Sequence, residues 1–268
     1  MPKPKKVTAA GKGGQPSNKT GHSSSKTTSS AVQAPPPSWP QFKPPLPVID
    51  LTPQPLEACP DKVVLISNFW PRSLCNSYVA HLSGLPLVTT PGKPKRGEAV
   101  RVNDRFQVDD PRFAGRLWLE TGLREALTQD DSLTPLWGGE VVGLNSNIRI
   151  YRYSKGQYFD AHYDDSNWVS VPSDPADPTS PSIPCKTTWT LLLYLTTSST
   201  GGDDSGCAGG ETVFFPHDRR SAAEEIAVPP QSGLVLLHKH GDDCMLHEGR
   251  EVTAGEKWII RTDLCVRR

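Results

Sequence analysis

The sequence predicts a mainly β domain with flanking helices (α+β), its core a double-sheet jelly roll, or double-stranded β-helix. Three observations predict it. The second half of the chain is a succession of short strand-like runs broken by Gly, Pro and Asp. Two stretches with helical spacing precede those runs. The apolar residues that could build a core are concentrated beyond residue 58, where many short antiparallel strands must cover one another to hide them.

In chain order, residues 62–67 read as an entry strand. Pro71 then opens a helix carrying Leu74, Tyr78, Val79 and Leu82 at helical spacing. Asp110 followed by Pro111 is an N-cap and first-turn pair. The helix it starts runs through Phe113, Leu117, Leu119 and Leu123 toward Gln129. Strands are expected at residues 147–153, 158–163, 187–195, 212–215, 225–228, 233–238 and 257–266, and no internal repeat is visible. A Pro- and Ser-rich insertion, residues 165–184, interrupts the series.

Residues 1–58 are of another kind. Trp39 and Phe42 are their only aromatics, and Lys, Ser, Thr and Gly runs give way to Pro-rich stretches. Such a segment buries too little surface to offset its conformational entropy, so a flexible arm is expected at 1–58 and a folded domain at 59–268. The formal net charge is zero, with 29 Lys and Arg against 29 Asp and Glu. Lys3, Lys5, Lys6, Lys12, Lys19 and Lys26 make the arm basic, so the remainder is acidic. A basic tail is most simply solubilising, although nucleic-acid contact is open to it. No apolar run follows the basic start and no stretch is long enough to span a bilayer, which leads to the expectation of an intracellular, cytoplasmic or nuclear protein without membrane contact. The six cysteines form no Cys-x-x-Cys pair, which disfavours a structural zinc site and predicts free thiols.

The chemistry is concentrated in four side chains. His162 and Asp164 lie two apart on one strand, hence on one face; His247 follows far down the chain, and Lys257 ten positions after it. Two neutral imidazoles and one carboxylate fill one face of an octahedral Fe(II), leaving three positions for a bidentate keto acid and dioxygen. Lys257 shares a strand face with Ile259 and Arg261, which sets two cations where a carboxylate could be held. A His-x-Asp pair alone means little. A second one, His240-Gly-Asp242, has no separate partner set and reads as a surface turn.

The flanking sequence adds a resemblance. The run Arg152-Tyr-Ser-Lys-Gly-Gln-Tyr-Phe-Asp-Ala-His-Tyr-Asp164 resembles a segment of the prolyl 4-hydroxylase group within the 2-oxoglutarate and Fe(II) dependent dioxygenases. So do Thr190-Leu-Leu-Leu-Tyr-Leu195, Gly209-Gly-Glu-Thr-Val-Phe214 and His247-Glu-Gly followed by Gly255-Glu-Lys-Trp258, in that order. The resemblance implies Fe(II) held by His162, Asp164 and His247, and 2-oxoglutarate with its distal carboxylate on Lys257, favoured over Arg261 by its distance from His247. Tyr153 and Thr190 are further candidate contacts of the keto acid, and ascorbate is a possible reductant. The implied reaction hydroxylates a C–H bond, of a peptidyl proline, with release of succinate and carbon dioxide, and so implies a protein or peptide substrate.

The chain departs from the group's pattern at several points. Phe159 stands where the group has Tyr, no further Trp follows Lys257-Trp258, and the 165–184 insertion is extra. These changes bear on the substrate, so a small metabolite, a lysyl side chain or a nucleobase are alternatives on the same chemistry. A non-catalytic jelly-roll binding protein is the alternative of another class. Arg149, Arg152, Asn103 and Arg105 are candidates for the substrate side or for structural ion pairs; Trp168 and Trp189 are candidates for core or rim.

Overall fold

The computed structural model describes residues 35–42, 46, 51–90, 97–198 and 206–267. The elements that precede the core are β1 (Gln54–Pro55), β2 (Val63–Ile66), α1 (Arg72–Leu82), β3 (Val88–Thr89), β4 (Arg101–Val102), β5 (Asp104–Asp109), α2 (Pro111–Leu119), α3 (Leu123–Thr128) and β6 (Glu140–Leu144). The core and its extensions follow: β7 (Asn147–Ser154), β8 (Tyr158–His162), β9 (Trp168–Asp174), β10 (Asp177–Tyr194), β11 (Cys207–Gly209), β12 (Thr212–Phe215), β13 (Ile226–Val228), β14 (Val235–Lys239), β15 (Leu246–Gly249) and β16 (Val252–Arg267).

These strands form two sheets. One runs β1-β2-β14-β10-β16-β7-β5-β3 and the other β13-β12-β15-β8-β4. The chain crosses between them repeatedly, β7 to β8, β10 to β12, β13 to β14 and β15 to β16, and the named pairings are antiparallel. That is the predicted jelly roll, with β7, β16, β10 and β14 on one wall and β8, β15, β12 and β13 on the other.

The two faces of the larger sheet carry two cores. Leu191 and Leu193 of β10 and Trp258, Ile260 and Leu264 of β16 point to the apolar cluster shared with Leu74, Tyr78, Phe113 and Leu117 of the helices. Leu192 and Tyr194, with Ile259, point the other way, into the space between the sheets with Tyr151, Tyr153 and Phe214. The two-residue period of a strand therefore splits each sequence run between a packing face and a site face. Helices cover the first, which is why β10 from Thr187 to Tyr194 and β16 from Lys257 to Val266 read as almost continuously buried.

Three expectations are corrected. The helix begun at Asp110, whose carboxylate accepts from Phe113 N–H at 2.9 Å, does not continue to Gln129. It ends at Leu119, and the chain restarts at Leu123 after Gly122, whose φ of +76° belongs to a left-handed turn. The 165–184 insertion forms the β9–β10 hairpin, with Val171 opposite Ile183 and Val169 opposite Cys185. The arm expected at 1–58 is too long at its C-terminal end. Trp39 stacks on Phe113 at 4.0 Å between centroids and donates to Asp110 at 2.7 Å, and Phe42 is buried in the helix-covered core. Two aromatics suffice to dock that stretch, and residues 54 and 55 pair with β2. Residues 1–34, with the basic tail, lie outside the described residues. Among the described residues no helix is long and apolar enough to cross a membrane, and all six cysteines are free thiols.

Candidate metal and keto-acid centre

The space between the sheets closes on Asp164, just past the end of β8. His162 Nε2 lies 3.7 Å from Asp164 Oδ1 and His247 Nε2 lies 3.8 Å from Oδ2. The antiparallel register of β8 and β15 sets His162 opposite His247, so the distant histidine arrives by strand pairing. Ligand atoms of His162, Asp164 and His247 all fall within 4.8 Å of one another.

Local bonds aim these atoms. His162 Nδ1 lies 2.8 Å from the Asp160 carbonyl and His247 Nδ1 2.9 Å from the Met245 carbonyl. If each Nδ1 carries the proton, each Nε2 presents a lone pair to the centre. Burial drives His162 down to about 2, helped by the nearby His247, and burial likewise lowers His247. Both imidazoles are therefore neutral. Burial alone would raise the Asp164 carboxyl, but Arg261 and then the three neighbouring histidines hold it well below the usual carboxylate range. Two neutral nitrogens and one carboxylate, all aimed inward, fit a divalent cation that accepts mixed N and O ligands.

Arg261 donates to Asp164 Oδ2 at 2.8 Å, and so does the Thr190 hydroxyl at 2.8 Å. Thr190 sits opposite Asp263 on β16 and His238 on β14, which brings it to the carboxylate. Both side chains thus hold Asp164, and Thr190 is not on the wall of the cavity beside it.

That cavity is lined by Tyr151, Tyr153, Phe159, Leu192, Lys257 and Ile259, together with His162, Asp164, His247 and Arg261. Lys257 is buried on its wall, its Nζ donating to the Gly210 carbonyl at 2.6 Å and lying 5.5 Å from the ring centres of Tyr153 and Tyr194. Desolvation lowers the Lys257 ammonium to about 8. Burial raises the Tyr153 phenol, so it stays protonated. The Gly-Gly turn is a steric requirement: a Cβ at Gly209 would meet the Glu251 carbonyl oxygen at 2.4 Å, and one at Gly210 would meet Lys257 Cδ and Val252 Cγ2 at 3.1 Å. A cation and metal-binding groups on the wall of one cavity can hold a molecule with a carboxylate at one end and a chelating group at the other.

Sequence reasoning missed His238. It is buried, its Nε2 lies 3.6 Å from Asp164 Oδ2, and its ring is 4.4 Å from that of His247. It lay at the edge of the 233–238 run; strand alternation with Leu236 was the available signal. His238 also groups with Cys244 and His247 as a possible metal-binding set. His240 is corrected. It is buried and held between Thr190 Oγ1 and Thr187 Oγ1, each at 3.0 Å, because its chain bonds to Thr188 and continues β14 inward.

Of the other candidates, Arg149 pairs with Asp263 and Arg152 with Asp104 at 2.8 Å, both structural. Asn103 is buried and its N–H bonds to Thr90. Trp189 is core, whereas Trp168 is 72% exposed. Arg105 lines a wider cleft above the centre, shared with Arg101, Ala161, Tyr163 and Leu246. His162, Asp164 and Phe159 belong to both spaces, so the centre stands between the smaller cavity and the wider cleft.

Residues 148–262 match the family model described as the 2OG-Fe(II) oxygenase superfamily, a stretch that contains the whole centre. That stretch is similar to this superfamily over less than half of the chain.

Similar solved structures include a viral collagen prolyl hydroxylase of Paramecium bursaria Chlorella virus-1, at 19% identity over 77% of this chain and 97% of that one, with a TM-score of 0.45. A Pseudomonas putida prolyl-4-hydroxylase matches at 16% identity over 77% and 93%, with a TM-score of 0.48. A prolyl hydroxylase from Trichoplax adhaerens, in complex with a hypoxia inducible factor peptide fragment, matches at 17% over 76% and 83%, with a TM-score of 0.45. No curated protein sequence matches the chain.

Proposed function

We propose that this chain hydroxylates a prolyl residue of a protein or peptide, with His162, Asp164 and His247 holding Fe(II) and Lys257 taking the distal carboxylate of 2-oxoglutarate. The observation that carries this reading is a single cavity bounded by the two histidines, the aspartate and the buried lysine. Fe(II) and 2-oxoglutarate, when bound, would supply the oxidising power to place one oxygen atom of dioxygen in a substrate C–H bond, the other going into succinate as carbon dioxide leaves.

The chain's own residues do the rest. Thr190 and Arg261 fix Asp164 through its Oδ2, and the carbonyls of Asp160 and Met245 fix the two rings. The Tyr153 phenol, protonated and on the cavity wall, would donate to a bound keto acid. Phe159, stacked at 3.5 Å on His162, packs against the face of that ring. The prolyl part of the reading rests on the motif order from Arg152 to Trp258 and on an open cleft that leaves room for a main chain.

The test begins with the anaerobic Fe(II)-loaded protein titrated with 2-oxoglutarate, followed by visible absorption. A charge-transfer band that disappears in His247→Ala is the expected result, and its absence from folded wild type would overturn the centre. Succinate release stimulated by prolyl peptides, with hydroxyproline found by mass spectrometry, is expected next; stimulation by a non-peptide alone would replace the substrate class while leaving the oxygenase intact.

A further inference from the structure

The arginines around the centre fall into two groups. Arg149 pairs with Asp263, Arg152 with Asp104 and Glu256, Arg261 with Asp164, and Arg220 with Asp160 and Glu248. Arg101 and Arg105, both on the open cleft, have no carboxylate partner among the described residues. Arg105 reaches only the neutral Gln107 side chain. Arg101 lies over aromatic rings, 5.0 Å from the centre of Phe159 and 5.9 Å from that of Tyr151. Both are half-buried, so water does not fully compensate their charge. Burial lowers Arg105, Tyr151 pulls against it, and the weaker repulsion of Arg101, Arg149 and Arg261 adds to the lowering.

Their position relative to the chemistry is fixed by strand pairing. Arg101 on β4 is opposite Phe159 on β8, and Phe159 stacks on His162. Arg105 on β5 is opposite Tyr151 on β7. A group held between these guanidinium groups is therefore one ring away from His162. We infer that Arg101 and Arg105 form a carboxylate-recognition site of the substrate cleft, and that the substrate is a peptide with an acidic side chain close to the residue hydroxylated. This rests on the prolyl reading above.

Guanidinium groups suit the task because their planar donors take a carboxylate through two bonds at once. A continuous polyphosphate suits the cleft less well. Asp165 lines it as well and would repel a long polyanion while leaving room for one carboxylate.

The test compares prolyl peptides of equal length with Glu, Ala or Lys beside the proline, on the full chain loaded with Fe(II) and 2-oxoglutarate. The Glu peptide is expected to have a kcat/KM roughly tenfold above the Ala peptide, the size of one good charge-assisted contact, and to lose the advantage at high salt. Arg101→Glu combined with Arg105→Glu should shift the preference to the Lys peptide, circular dichroism confirming that the variant folds. A companion measurement without turnover uses fluorescence anisotropy of labelled hexaglutamate and hexalysine on the wild type and on single Arg101→Gln and Arg105→Gln variants. Equal kcat/KM for the Glu and Ala peptides, or hexaglutamate binding indifferent to both arginines, overturns the inference. Charge-dependent hexaglutamate binding with no prolyl peptide hydroxylated retains the carboxylate site and overturns the prolyl reading instead.

Discussion

Lys257 is the residue whose environment most constrains function. Its ammonium loses the solvation it has in an unfolded chain, and its value falls from 10.5 to about 8. Between those values the unfolded chain binds more protons than the folded one, so this group makes stability rise with pH across that window. Only the ammonium form attracts a carboxylate, so the KM for 2-oxoglutarate should climb as pH passes about 8 in the initial-rate profile. Lys257→Ala should raise that KM by roughly 10- to 100-fold and flatten the pH dependence; a KM that stays level on both counts would remove Lys257 from the keto-acid site. His238 calls for a different measurement. Outer partners of a metal site commonly contribute 10–100-fold to affinity, so His238→Ala should weaken Co(II) binding by about tenfold in calorimetry. Unchanged affinity would make it a packing residue.

The elements explain which of these residues could be read in advance. His162 and Asp164 announce themselves because strand alternation puts both on one face, and Lys257 and Arg261 share a face for the same reason. His238 and Thr190 follow that rule too, but their partner across the sheet is set by register, which no local pattern encodes. The β9–β10 hairpin was illegible for another reason: proline is a poor predictor of strand, and here Pro172 and Pro184 stand in the regular ladder itself, while Pro178 and Pro181 fall in its irregular stretch.

Its tip reaches back onto α2. Gly115 lies in the middle of that helix, where glycine costs roughly 1 kcal/mol against alanine. A Cβ there would fall 2.1 Å from the Pro175 carbonyl oxygen, so the glycine is kept for the hairpin's approach. Gly115→Ala should therefore lower stability by about 1–3 kcal/mol in urea titration, although the helix itself would prefer alanine. A stabilised variant would show that this contact does not hold the hairpin.

At the scale of the whole molecule, one face of the larger sheet is filled with hydrocarbon and the other with the centre, so packing and chemistry are coupled through the same strands. Leu191, Leu193, Trp258 and Ile260 bind the sheet to the helices, while their neighbours Thr190, Leu192, Lys257 and Arg261 face the centre or its cavity. The sequence carried the fold class because this division repeats in every core strand. It did not carry the limit of the N-terminal segment, because two aromatics in a Pro-rich stretch fall below any periodicity threshold. Those two nonetheless close the outer core. Trp39 and the Phe113 N–H share the Asp110 carboxylate, one on each oxygen, so Trp39 secures the cap of α2 as well as its Phe113 face. Trp39→Ala should cost about 3 kcal/mol, at the lower end for a large aromatic because the side chain is only half-buried. Trp39→Phe should recover the stacking share but not the hydrogen bond, about 1 kcal/mol of it. Thermal unfolding of both variants separates the two contributions; equal losses would mean that the stack contributes nothing, and no loss in either would return this stretch to the arm.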